Sequence, residues 1–182
     1  MKGVNRSSIG QEFLIKITVV PETWIIAPLM PKEQIERYVS KGWIDSDVGQ
    51  HLDRCWPRNV DGRPVIFKLW LLQVLKRAAR RLGIARDKLE FDIIDEDGVP
   101  VQYIVIPDKP LVYKRKVNNA VEVFEYIDST FTLKFTVLTR YPKEFIECLK
   151  LAGKIGLMAR TKHGYGKFRI IDVKAAPYTE RR

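Results

Sequence analysis

A glycine-rich segment near the C-terminus, residues 155–168, combines residue types that can bind a phosphate backbone. It reads IGLMARTKHGYGKF. Glycine lacks a Cβ atom, so another backbone can approach closely and free amide N–H groups can donate to phosphate oxygens. Basic side chains add charge, and aromatic rings can stack on bases. The residues selected on these grounds are Gly156, Arg160, Lys162, His163, Gly164, Tyr165, Gly166 and Lys167. A glycine turn that only reverses the chain would show the same spacing.

A second basic cluster lies on a predicted helix over residues 66–82. Apolar residues repeat there at helical spacing, and Gly83 suits the C-terminal cap. The basic residues on the other side are Lys76, Arg77, Arg80 and Arg81. They have no acidic neighbours four residues away, so they repel one another by a few tenths of a kcal/mol per pair. This favours an external anion as their partner, although a solvated helix face is the alternative.

Two residues are candidates for catalysis. His163, inside the glycine-rich segment, can contact a phosphate or act as a general acid or base. Asp53 lies in a polar loop with several other aspartates, where a carboxylate more often caps a helix or remains solvated. The sequence leaves open whether His163, Asp53 or neither residue is catalytic. The two histidines and two cysteines form no close ligand pair, so we expect no metal site, and nothing indicates a cofactor.

The positive charge of the chain is confined to two stretches. The 182 residues carry 32 Lys/Arg and 22 Asp/Glu, a net charge of +10. Residues 154–182 contribute +6 and residues 76–88 contribute +5, so the remainder carries −1. Such a distribution is typical of a surface that binds a polyanion. The alternative is the Lys-rich surface that is common in thermophile proteins.

The order of predicted elements is strand, helix, strands, helix, strand. The predicted strands are Phe13–Val20, Leu89–Ile94, Val101–Ile106, Val121–Ile127, an alternating stretch with Phe131, Leu133, Phe135 and Val137 on one face, and Lys167–Val173; the predicted helices are Pro31–Lys41, a short one after Asp45 and Ser46, Ile66–Leu82, and one from Pro142 to Gly153. This order predicts an α+β fold of the ferredoxin-like (RRM-like) class, an antiparallel sheet with two helices on one face.

Residues 21–66 differ in character from the rest of the chain. They hold three of the four tryptophans and several prolines. We interpret them as a small Trp-rich helical insertion between the first strand and the first core helix of a single domain, residues 1–182. No apolar run reaches the roughly 18 residues that span a bilayer. The N-terminus has no pattern typical of an export signal, so we expect a cytoplasmic protein.

Three pieces of the sequence resemble the RAMP superfamily, the RNA-binding proteins of CRISPR systems. Gly164-Tyr165-Gly166-Lys167 is similar to the family's glycine-rich loop. Residues 61–66, DGRPVI, with the basic helix after them, are similar to its Gly-x-Pro entry into the first helix, and residues 123–131, VFEYIDSTF, resemble its acidic strand and turn. Type III backbone subunits have a small Pro-Gly-Ser-Ser turn where this chain has the bulky residues 66–70, IFKLW.

The resemblance implies a ferredoxin-like protein that grips guide or single-stranded RNA by its backbone. Such a protein is a subunit of a CRISPR ribonucleoprotein complex in antiviral defence, with RNA and other subunits as partners. Two alternatives remain open. One is a metal-independent endoribonuclease of the same superfamily, which attacks through the ribose 2′-hydroxyl. The other is an interaction protein that has kept the fold without binding RNA. We favour the RNA-binding module over the enzyme.

Overall fold

The structure is a computed structural model that describes residues 10–179. Residues 1–9 and 180–182 lie outside the described part. They include the N-terminus on which the expectation about export depends, and the last two arginines of the basic C-terminal stretch. None of the described helices is long and apolar enough to cross a membrane.

The described chain contains four α-helices and eleven strands. The helices are α1 (Lys32–Ser40), α2 (Ser46–Gly49), α3 (Lys68–Leu82) and α4 (Pro142–Ile155); the strands are β1 (Phe13–Pro21), β2 (Ile25–Ile26), β3 (Leu52–Arg54), β4 (Val65–Phe67), β5 (Phe91–Ile94), β6 (Pro100–Val101), β7 (Tyr103–Val105), β8 (Leu111–Val117), β9 (Ala120–Ile127), β10 (Leu133–Thr139) and β11 (Phe168–Pro177). Two 3₁₀ turns, Arg86–Leu89 and Thr161–His163, complete the regular structure.

The main sheet has the ferredoxin-like topology that the sequence predicted. Its strand order is β11-β1-β10-β5-β6, and every pair is antiparallel. Helix α3 lies between β1 and β5 in the chain, and α4 lies between β10 and β11. This is the split βαβ arrangement. The α+β class is therefore confirmed.

One face of this sheet is covered by α3 and α4. Along β1 the buried residues alternate, as at Ile15, Ile17 and Val19, because successive side chains point to opposite faces. They share one core with the apolar sides of α3 and α4, which include Leu75 and Phe145. The opposite face of the sheet carries exposed lysines, Lys16, Lys134 and Lys174.

A second sheet joins the Trp-rich region to the hairpin β8–β9. Its order is β2-β9-β3, and β8 also pairs with β9, antiparallel from Ala120 to Tyr126. One side packs on α1 and α2 through a small core that includes Ile35, Tyr38, Leu52 and Val123. The interpretation of residues 21–66 as an insertion stays a prediction. The structure adds that this region pairs with a strand that follows its paired residues by 70 to 102 positions.

A buried ion pair fixes the loop after β3 to β9. The Arg58 guanidinium donates to both carboxylate oxygens of Glu125, with Nη2 to Oε1 at 2.5 Å, and Glu125 is only 4% exposed. The amide of Trp56 also donates to Glu125 Oε2, at 2.8 Å. In turn, Arg58 Nη1 donates to the Trp56 carbonyl oxygen at 2.7 Å. The carboxylate is therefore neutralised and hydrogen-bonded, as burial of a charge requires.

The glycine-rich segment packs tightly on itself and on α4. A Cβ at Gly166 would clash with the carbonyl oxygen of Leu157, and one at Gly156 would lie 2.7 Å from the Tyr165 carbonyl oxygen. A Cβ at Gly153 would clash with the backbone of Phe168. At these positions glycine allows two stretches of the same backbone to touch.

Several predicted boundaries are wrong. Helix α3 begins at Lys68, because residues 66 and 67 pair in β4 with β7. The predicted strand Val101–Ile106 divides between β6 and β7, which belong to different sheets. Helix α4 continues past Gly153 and ends before Gly156. The sequence patterns also gave no indication of β8, whose polar residues Lys114 to Lys116 hide its strand character.

Replacing Glu125 with Gln should destabilise the protein by about 3–5 kcal/mol, because it leaves the buried Arg58 guanidinium without a counter-charge. Urea unfolding followed by circular dichroism measures this loss. Lys109→Ala is the matched control: its ion pair with Asp45, 3.4 Å long, is largely exposed, so its removal should cost at most about 1 kcal/mol. Equal losses in the two variants would contradict the structural role of the buried pair.

Replacing Gly166 with Ala should destabilise the protein by about 1–3 kcal/mol more than Gly164→Ala. Both glycines have a positive φ, 82° and 86°, so both variants carry the same backbone strain. Only Gly166 meets another backbone, since nothing lies within 4 Å of a Cβ at Gly164. The comparison of unfolding free energies isolates the close contact, and identical values for both variants would exclude it.

Candidate nucleic-acid interface

The amide groups of the three predicted glycines are used within the chain. Gly156 N–H donates to the Ala152 carbonyl oxygen and Gly164 N–H to that of Thr161. Gly166 N–H donates to the Trp24 carbonyl oxygen at 2.7 Å. The prediction that these amides are free to donate to phosphate is therefore wrong. The glycines instead give the segment its shape and tie it to the connection between β1 and β2.

The glycine-rich segment and the basic helix meet at one cleft of about 270 Å³. The segment forms one wall, and α3 forms the wall facing it. The lining residues are Pro28, Leu29, Arg54, Trp70, Gln73, Val74, Arg77, Gly156, Leu157, Met158 and Ala159. Both stretches that carry the excess positive charge thus contribute to the cleft, but the lining residues of the glycine-rich segment are uncharged.

Helix α3 presents a stripe of residues to this cleft. Trp70, Gln73, Val74 and Arg77 have the spacing i, i+3, i+4 and i+7, which places them on one side of a helix. Arg81 lies one further turn along the same stripe. The predicted basic residues Lys76, Arg77, Arg80 and Arg81 are all exposed. Among residues 10–179, none of these four has a carboxylate oxygen within 4.0 Å.

Arg54, which lines the cleft from β3, was not predicted from the sequence. Its Nε atom is buried and finds no hydrogen-bond acceptor among the described residues. A buried donor without an acceptor costs about 1–3 kcal/mol. Arg54 is isolated in the sequence from the other basic residues of the cleft, so no local charge pattern marks it. Trp70 and Gln73 were also not predicted, because neither is basic and neither lies in the glycine-rich segment.

Arg160 is held within the protein. Its guanidinium forms an ion pair with Glu122, and it lies 5.5 Å from the centre of the Phe124 ring. Both partners belong to β9. The adjacent backbone is unusual, since Met158 and Arg160 both have a positive φ, 70° and 57°. Arg160 therefore anchors the segment to the second sheet, and part of its charge is already neutralised.

The other predicted residues of the segment are not among those that line the cleft. Lys162 and His163 are exposed in the 3₁₀ turn, whose Thr161 side chain lies beside Gly156. Tyr165 is half-buried, with its ring centre 6.3 Å from that of Trp24. Lys167 uses its amide to bind the Thr23 hydroxyl at 2.9 Å and is partly exposed. The RNA-binding roles of these residues stay predictions.

The catalytic candidates do not meet in the cleft. Asp53 is exposed and does not line it, although its neighbour Arg54 does. Burial raises the pKa of the thiols of Cys55 and Cys148, which keeps both protonated and unreactive at neutral pH. Within the described ranges, no group of three His, Cys, Asp or Glu side chains is arranged to hold a metal ion.

Comparison with known proteins gives a match at the level of structure. No family model matches the chain, and no curated protein sequence matches it significantly. A chain of the type III-B Cmr-beta complex bound to cognate target RNA, determined by cryo-EM, has a TM-score of 0.57 at 11% sequence identity. A chain of the Csm3-Csm4 subcomplex of the type III-A CRISPR-Cas interference complex has a TM-score of 0.39 at 15% identity.

The two matches cover most of this chain. The first covers 92% of it and 61% of the Cmr-beta chain, so the protein spans about three fifths of the length of that neighbour. The second covers 93% of it and 82% of the Csm3-Csm4 chain. Identity this low establishes the fold alone. The chain shares its fold with a chain of the Cmr-beta complex, as the RAMP resemblance implied.

Proposed function

We propose that the protein is an RNA-binding, RAMP-like subunit of a CRISPR-type ribonucleoprotein complex. It holds guide or single-stranded RNA by its sugar-phosphate backbone, with little preference for sequence. One observation carries this proposal: Arg77 of the basic helix and Gly156 of the glycine-rich segment line the same cleft. Two stretches that are separate in the sequence thus meet at one cleft, whose basic lining residues are Arg54 and Arg77.

The charge of α3 supports a polyanionic partner. Four exposed basic side chains lie within six residues, and the described residues supply no carboxylate to neutralise them. Release of the counterions from a bound phosphate strand drives binding to such a surface. Arg77 and Arg81 continue the stripe that lines the cleft, so an RNA strand along α3 would pass over its mouth.

The proposed partners are RNA and other protein subunits. The Cmr-beta neighbour belongs to a complex that is bound to RNA, and the likeness in fold supports an equivalent setting for this chain. The binding role does not require catalysis. Since Asp53 lies outside the cleft and His163 lies in an exposed turn, neither is included in the proposed mechanism, and the ribonuclease alternative has no structural observation in its favour.

Replacing Arg77, Arg80 and Arg81 together with alanine should weaken the binding of a fluorescent oligouridylate. The plot of log affinity against log salt should become less steep by about 0.7 for each phosphate that the variant no longer neutralises. Fluorescence anisotropy at several salt concentrations measures both quantities. The three side chains are exposed, so the fold should be retained.

Lys16, Lys134 and Lys174 provide the matched control for that experiment. They carry the same total charge but lie on the sheet face opposite the helices, where register pairs Lys16 with Lys174 and Thr18 with Lys134. Alanine at these three positions should leave the salt dependence almost unchanged. Equal weakening by the two triple variants, or binding of the unmutated protein that does not depend on salt, would refute the proposed surface.

A further inference from the structure

We infer that the cleft beside α3 is a subsite for a single unpaired nucleotide, with the base stacked on Trp70 and an acceptor oxygen bound by Arg54. This inference rests on the proposed function, and it adds a contact to the base where that function requires contacts to the backbone only. Neither residue was identified from the sequence as part of the RNA surface.

The cleft has the size and charge for one nucleotide. Its volume of about 270 Å³ lies near the lower end of the range for small-molecule sites, about 300–1,000 Å³. Two of the lining residues, Arg54 and Arg77, are basic, and no acidic residue is found in the lining that the described chain provides. The cleft therefore suits a small anion with an apolar part, and a base-paired duplex would not enter it.

Trp70 is placed to act as a stacking platform. It is partly exposed at the cleft, and the ring of Phe67 supports it with 5.0 Å between ring centres and 59° between planes. A supported indole loses little conformational freedom when a base stacks on it. Stacking on aromatic side chains binds single-stranded nucleic acid without much sequence preference, because every base has a π-face.

The rest of the cleft complements such a base. Leu29, which is 66% exposed, and Met158 add apolar surface next to the tryptophan. Flipped or unpaired bases are commonly held between aromatic and apolar side chains. Gln73 has both a donor and acceptors that can meet the edge of a base. The chemical character of the lining thus matches the two parts of a nucleotide.

Arg54 supplies the reason for an external ligand. Its buried Nε has no acceptor among residues 10–179, and arginine cannot lose its charge to relieve this. Arg54 also lines the cleft, where a phosphate oxygen or a base carbonyl would accept hydrogen bonds from its guanidinium. Because β3 also pairs with β9, the position of Arg54 is set by the sheet, independently of any ligand.

The test compares an oligouridylate with an abasic oligomer of the same ribose-phosphate backbone. Trp70→Ala should lower the affinity for oligouridylate about tenfold, equivalent to about 1.4 kcal/mol, and should leave the affinity for the abasic oligomer unchanged. Trp70→Phe should retain most of the affinity because it keeps an aromatic face. Arg77→Ala should weaken the binding of both oligomers, since it removes charge.

Two further variants complete the test, one outside the cleft and one inside it. Leu69→Ala changes the neighbouring exposed residue, which does not line the cleft, and should behave as the unmutated protein. Gln73→Glu places a carboxylate in the cleft at an exposed helix position, where it preserves the fold, and should weaken the binding of both oligomers. Thermal melting monitored by circular dichroism verifies that each variant is folded.

The outcomes separate this inference from the function on which it rests. If the unmutated protein binds oligouridylate, but Trp70→Ala binds it equally well and Gln73→Glu has no effect, the subsite is refuted and the proposed function stands. Equal affinity of the unmutated protein for the two oligomers also refutes the stacked base. If the unmutated protein binds neither oligomer, the RNA-binding function itself fails, and the subsite fails with it.

Discussion

The close contact of the glycine-rich segment with its own backbone is the constraint on which the proposed site depends. Leu157 N–H donates to the Gly166 carbonyl oxygen at 2.8 Å, and Gly166 N–H donates to Trp24. A side chain at Gly166 would separate these stretches of chain. Without that contact, residues 156–159 would not form a wall of the cleft. The glycines thus act on the proposed site through packing, because they hold residues 156–159 in place as part of the cleft lining.

The buried pair between Arg58 and Glu125 performs a comparable task for the chain segment that carries Arg54. It joins the loop after β3 to β9, and β9 also binds Arg160 through Glu122. Arg54 is only four residues before Arg58, and its own strand β3 pairs with β9. The part of the cleft lining that Arg54 provides is therefore attached to β9. A pair of charges that adds little net stability compared with an apolar core can still fix geometry in this way.

Local sequence patterns predicted the helices and strands correctly where each element buries one face. Apolar residues alternate along β1 and recur at helical spacing along α3, and each pattern indicates one buried face. These patterns predicted the ferredoxin-like order of elements correctly. The errors occur where a strand has no single buried face. Strand β8, which is exposed along most of its length, and the short β4 and β7, which pair apart from the main sheet, give no clear period.

The sequence alone predicts the elements of the core, the glycine-rich C-terminal segment and the two stretches that hold the excess charge. Each of these is a property of neighbouring residues. The packing of the folded chain is needed to show that Arg54, Trp70 and Met158 share a cleft, that Arg160 is neutralised by Glu122, and that the Gly166 amide is bonded to Trp24. These facts depend on contacts between segments distant in sequence. Such contacts form when the chain packs around a common core. The spacing of apolar residues within one helix or strand does not predict them.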